Sequence, residues 1–101
     1  GNVDSTTSLP DGSRVLGVDT VVGTPFDGTA PTVAISANGS SPVTLQATTG
    51  NNLKVANQYK TQAITKLTST GAGVIRAAVT PDSSTVGAAT IYVWYVTASN
   101  A

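Results

Sequence analysis

The sequence contains no histidine, no cysteine and no glutamate. The usual general base at neutral pH is therefore missing. Ser-His-Asp and Cys-His nucleophilic arrangements are excluded, and so are disulfides and zinc sites built on His or Cys. Charge is scarce as well: only 10% of residues are Asp, Lys or Arg, against roughly 25% in an average soluble domain. The five basic residues, Arg14, Lys54, Lys60, Lys66 and Arg76, balance five aspartates and are scattered, which leaves no electrostatic footprint for nucleic acid. No apolar run approaches the roughly 20 residues of a membrane-spanning helix. Residues 1–11 are polar and read as carrying no signal peptide.

What fills the chain instead is Val, Ala, Ile and Thr. Hydrophobic residues make up 40% of 101 residues, enough for the core of one domain. Val, Ile and Thr are β-branched and favour strands. With so few charges, the surface must be largely Thr, Ser, Asn, Ala and Gly. Such a surface desolvates cheaply and suits permanent packing against neighbours.

Alternating apolar positions mark strands over residues 14–22, 31–37, 43–48, 74–80 and 88–98. Leu16, Val18 and Val22 share a face of the first, Val33 and Ile35 of the second, Val43, Leu45 and Ala47 of the third, and Ile75, Ala77 and Val79 of the fourth. Turn chemistry separates them: Pro10-Asp11-Gly12, the tight Asp27-Gly28 turn, Asn38-Gly39, Gly50-Asn51-Asn52, Gly71-Ala72-Gly73 and Pro81-Asp82-Ser83. Residues 53–70 are ambiguous. Leu53, Ala56, Tyr59, Ala63 and Leu67 approximate helical spacing, whereas Ala63, Thr65 and Leu67 alternate. The spacing favours a connector through Tyr59 and then a strand over 61–68, with a short helix over 53–60 as the competing reading. The expected fold is all-β: a single-domain antiparallel β-sandwich over residues 14–101, jelly-roll-like, preceded by a flexible arm at residues 1–13.

The final strand is apolar on both faces. Ile91, Val93 and Tyr95 point one way, and Tyr92, Trp94 and Val96 the other. An antiparallel strand with one wet face would alternate with polar residues. Either this strand is central and covered by a loop or the arm, or one face lies in the core and the other in a subunit interface. Tyr92, Trp94 and Val96, together with Leu9 and Pro10 of the arm, are the interface candidates. Tyr92 and Trp94 could alternatively stack a sugar or a base.

Catalysis would have to come from Asp4, Asp11, Asp19, Asp27 and Asp82. A converging pair could act as acid and base, yet Asp11, Asp27 and Asp82 sit among turn residues and Asp4 in the arm, where Asp bonds its local backbone. A Ca²⁺ site from Asp11, Asp27 or Asp82 lacks the required clustering of oxygen ligands. Gly71-Ala72-Gly73 matches no phosphate-loop pattern. Asn38-Gly39-Ser40 is a glycosylation sequon by pattern but reads as turn chemistry. The expectation is a non-enzyme with no cofactor and no metal.

The segment Thr24-Pro25-Phe26-Asp27-Gly28-Thr29-Ala30-Pro31-Thr32-Val33-Ala34-Ile35 resembles the early hairpin of small tailed-phage virion proteins. Residues 84–96, from Ser84-Thr85-Val86-Gly87 through Ile91-Tyr92-Val93-Trp94-Tyr95-Val96, are similar to their closing strand. With residues 53–59 between, the resemblance spans about residues 15–98. It implies a capsid decoration (cement) protein: a β-sandwich or jelly-roll subunit, often trimeric, on the outer capsid surface of the virion and bound to the major capsid protein. It offers no catalytic residues. Such proteins often carry more acidic residues than this chain. Residues 1–13 would then be a gripping arm. Three other readings stay open: a head-fibre or tail-associated carbohydrate- or host-binding module, a bacterial surface or pilus β-domain with an edge strand awaiting a donor, and an Asp-based hydrolase.

Overall fold

The computed structural model describes residues 1–62, 65–67 and 73–97. It is all-β: two antiparallel sheets face each other as in a β-sandwich. The strands are β1 (Asn2–Ser8), β2 (Arg14–Thr24), β3 (Thr32–Asn38), β4 (Val43–Gln46), β5 (Gln58–Thr61), β6 (Thr65–Lys66), β7 (Val74–Thr80) and β8 (Ala88–Val96). One sheet runs β1-β7-β3-β4. The other is organised around β2, which pairs along one side with β8 and along the opposite side with β5 and β6.

The alternation read from the sequence packs on β3 and over most of β2, whereas Ala47, expected beside Val43 and Leu45, lies beyond β4 and is exposed. Val33, Ile35 and Ala37 of β3 are buried, as are Val15, Val18, Thr20 and Val22 of β2. Thr20 aside, these residues form the core with Leu9, Leu45, Leu53 and Leu67, and each fully buried Val, Leu or Ile side chain contributes roughly 1.5–3 kcal/mol. The Asn-Gly segment joins β3 and β4 as an antiparallel pair, as expected. Residues 53–57 form a turn and β5 follows, so no helix occupies residues 53–60. Of the strand expected at 61–68, Ala63, Ile64 and Thr68 lie outside the described residues, as do Gly71 and Ala72 of the expected turn and Ala98 at the end of the last strand.

Three further expectations change. Leu16 does not share the inner face of β2. A register shift between Val15 and Gly17 makes room for it as an extra residue, so Val15 takes the inward position and Leu16 is exposed. The tight Asp27-Gly28 turn does not use positive φ, which among the described residues is found at Gly12, Asp82, Ser83 and Gly87. Glycine is required at position 28 for close approach: a Cβ there would lie 2.4 Å from the Asp82 carbonyl oxygen. Finally, most of the expected arm is a strand. β1 lies antiparallel to β7, with Asn2 opposite Ala78 and Ser8 opposite Val74. The Gly1 ammonium donates to the Val79 carbonyl at 2.7 Å, and Arg76 grips Asp4 through two hydrogen bonds of 2.7 and 2.9 Å. Every residue of β1 is exposed, so hydrogen bonds and this ion pair hold it rather than burial.

Candidate functional site

Among the described residues, β8 pairs with β2 alone, from Arg14 opposite Val96 to Thr24 opposite Ala88. It is therefore an edge strand, and its second edge carries unpaired N–H and C=O groups. Proteins usually protect such an edge with charge, Pro or a bulge. The stretch AATIYVWYV has no charge and no Pro.

Both faces of β8 are left partly uncovered. On the outer face, Tyr92 is 51% exposed, Trp94 50% and Val96 50%. The Tyr92 and Trp94 rings lie 6.2 Å apart, tilted by 34°. Beside Trp94 is a shallow hollow of about 250 Å³ bordered by Leu16, Lys60 and Gln62. Asp19 sits on this face of β2, opposite Tyr92 on one side and Lys60 on the other. Its side chain is buried, with Oδ2 accepting from Gln58 Nε2 and Oδ1 without a hydrogen-bond partner among the described residues.

On the inner face, Ile91, Val93 and Tyr95 look across a cleft of about 700 Å³ at Ile75, Ala77 and Val79 of β7, with β1 as the opposite lip. These residues are only half-buried, and Tyr95 is 41% exposed. The two sheets thus close over the core at the β3–β4 side and stand open where β1 and β8, one edge strand of each sheet, line the same cleft.

The structure brings Tyr92, Trp94 and Val96 together on one exposed face, as the alternation implied. It corrects the reading of β8 as a central strand covered by a loop or arm. It also separates the other two candidates from this strip. Leu9 is in the core at the end of β1, where it cannot serve as an exposed contact. Pro10 is exposed and accepts the Ser13 N–H in the following turn.

Three of the aspartates weighed for chemistry hold the framework. Asp27 Oδ1 accepts from the Thr85 and Val86 N–H groups at 2.7 and 3.3 Å, and Oδ2 from the Thr85 hydroxyl at 2.7 Å. These bonds, the Thr85 hydroxyl foremost, hold its carboxyl below the ordinary 3.8. Asp82 Oδ2 accepts from the Ala30 N–H at 2.7 Å. Asp4 is likewise lowered, by its hydrogen bonds to Arg76. The open cleft was not foreseen from sequence, because it depends on which strands end up as edges. No family model, curated protein or solved structure matches this chain.

Proposed function

We propose that this chain is a non-enzymatic virion structural protein of jelly-roll-like build, acting as a capsid decoration protein that binds the major capsid protein on the outer surface of a phage head. The observation that carries the reading is the Tyr92–Trp94–Val96 strip, half-exposed on an edge strand that has no protective charge. Exposed Tyr and Trp on a rigid strand are favoured anchors of protein interfaces. The neutral, Thr- and Ser-rich surface supports it, since permanent lattice contacts remove little hydration from such groups. The resemblance of residues 24–35 and 84–96 to tailed-phage virion proteins supplies the setting. With β1 folded onto β7, the gripping surface in this reading is β8 rather than an N-terminal arm.

The test is co-sedimentation of the purified chain with expanded tailed-phage heads stripped of their decoration proteins. Saturable retention is expected, together with heads that withstand more heat. Trp94→Ala is expected to weaken retention while leaving the fold intact. Absence of retention on every head tested, with the chain folded, rejects the proposal.

The hollow beside Trp94 favours a second reading as a carbohydrate-binding module, with a sugar stacked on the indole and hydrogen-bonded by Lys60 and Gln62. Quenching of the single tryptophan's fluorescence by a glycan would support it.

A further inference from the structure

The free edge of β8 and the open cleft are on the same side of the molecule, and one occupant satisfies both. We infer that two copies of this chain associate through an antiparallel β8–β8 pairing across a two-fold axis, which joins their β2-centred sheets into one continuous sheet.

Four observations lead there. First, β8 offers a nine-residue edge, Ala88–Val96, without Pro or charge, whose outward-pointing alternate N–H and C=O groups have no strand partner among the described residues; backbone pairing supplies the hydrogen bonds that such an edge lacks. Second, a two-fold strand pairing places each residue opposite a residue of the same strand. Any charge in the strand would tend to meet its own sign, which is destabilising, and β8 has none. Centred on Val93, the pairing sets Tyr92 opposite the partner's Trp94 and Ile91 opposite the partner's Tyr95, favourable aromatic and aromatic–aliphatic pairs. Third, both faces of β8 are apolar and half-exposed. The dyad stands perpendicular to the sheet, so the two outer strips merge into one aromatic band and the two inner faces line one surface. Fourth, the 700 Å³ clefts of the two copies then open toward each other instead of toward water, and the half-buried Ile91, Val93 and Tyr95 are enclosed between four sheet segments.

This two-fold contact departs from the three-fold association that the resemblance implies. It is also independent of the capsid proposal: a dimer without affinity for heads leaves the pairing standing and removes the other, and head-binding by a strict monomer does the reverse.

The experiment measures solution mass by light scattering on a sizing column over a range of loading concentrations, with residue-resolved amide exchange at the two ends of that range. A doubling of mass is expected. The alternate β8 amides that point away from β2 should gain protection as concentration rises. Two charge variants keep the test free of folding artefacts, because both positions are half-exposed. Tyr92→Lys with Trp94→Lys should give a monomer, as should Tyr92→Glu with Trp94→Glu, each with an unchanged far-ultraviolet circular dichroism spectrum. Mixing the two should restore a dimer. A monomer at every concentration overturns the inference. So does an oligomer, trimer included, whose outward β8 amides exchange as fast as in dilute solution, or an oligomer that both charge variants retain.

Discussion

Thr20 Oγ1 donates a hydrogen bond of 2.6 Å to Gln46 Oε1 across the gap between the two sheets. Asn51 Nδ2 donates to the same oxygen at 2.9 Å, and Gln46 Nε2 donates to the Tyr59 carbonyl at 3.1 Å and to Thr61 Oγ1 at 3.0 Å. Gln46 is thereby fully satisfied although it is among the most deeply buried residues. This side chain fastens β4 of one sheet to β2 and β5 of the other.

Gln46→Leu keeps the volume and removes the fastening. The Thr20 hydroxyl and the Tyr59 carbonyl lose their partner in the interior, which costs about 2–4 kcal/mol if each orphaned group carries its usual penalty. Urea unfolding should show a lower midpoint with an unchanged slope.

Gly87→Ala should destabilise by about 1–3 kcal/mol, since φ is +152° and the new Cβ would meet the Phe26 ring at 2.4 Å. Gly23→Ala is the control. Nothing lies within 4 Å of a Cβ there, so its effect should stay within about 0.5 kcal/mol. Thermal melts of the two variants measured side by side test the pair.

Leu9→Ala should lower stability by about 2–3 kcal/mol, near the low end for a buried leucine because the adjacent cleft lets the site relax. It should leave the solution mass unchanged. A change of mass with stability preserved would return Leu9 to the interface.

Asp4 and Asp27 set the response to acid. Each carboxyl is held below its ordinary 3.8, chiefly by the Arg76 and Thr85 hydrogen bonds respectively. A depressed folded-state value means that the unfolded chain binds the proton more readily. The contribution to stability is therefore complete above the ordinary value and is lost as pH falls below it through the folded-state value. Amide exchange should show β1 and the segment at residues 84–86 loosening below about pH 4, before the core strands do. Asp27→Asn should flatten the pH dependence at residues 84–86 and leave that of β1 in place.

The strands with one buried face were legible in the sequence. Val33 and Ile35 alternate with polar or small residues because one side of β3 meets the core, and Ile75, Ala77 and Val79 repeat that pattern on β7. β1 was not legible. Asn2–Ser8 contains one large apolar residue, Val3, and that residue is exposed; the strand exists through backbone bonds to β7 and the Asp4–Arg76 pair, neither of which leaves a periodic signature. Leu16 was misplaced because a single inserted residue shifts the inward face to Val15, a local change of register that alternation cannot reveal. Gln46 falls between Leu45 and Ala47, off the face that alternation assigns to the core, yet its buried amide is used by groups from three other segments. For the candidate site, the two-faced character of residues 91–96 was plain in the sequence, and the strand's position at an edge was not, since edges are decided by long-range pairing.

The position of β2 has a consequence for how the molecule is made. Val21 is opposite Gln58 on one side and Thr90 on the other, so β2 waits for β8, far along the chain, before its sheet is complete. Gly1 is likewise bonded to Val79. Pairings so distant in sequence carry a large loop-closure cost before they are rewarded, which makes folding slow compared with helical proteins of similar size. During synthesis the apolar face of β2 remains without its β8 neighbour until residues 88–96 have emerged, and the β2-centred sheet cannot be completed before then.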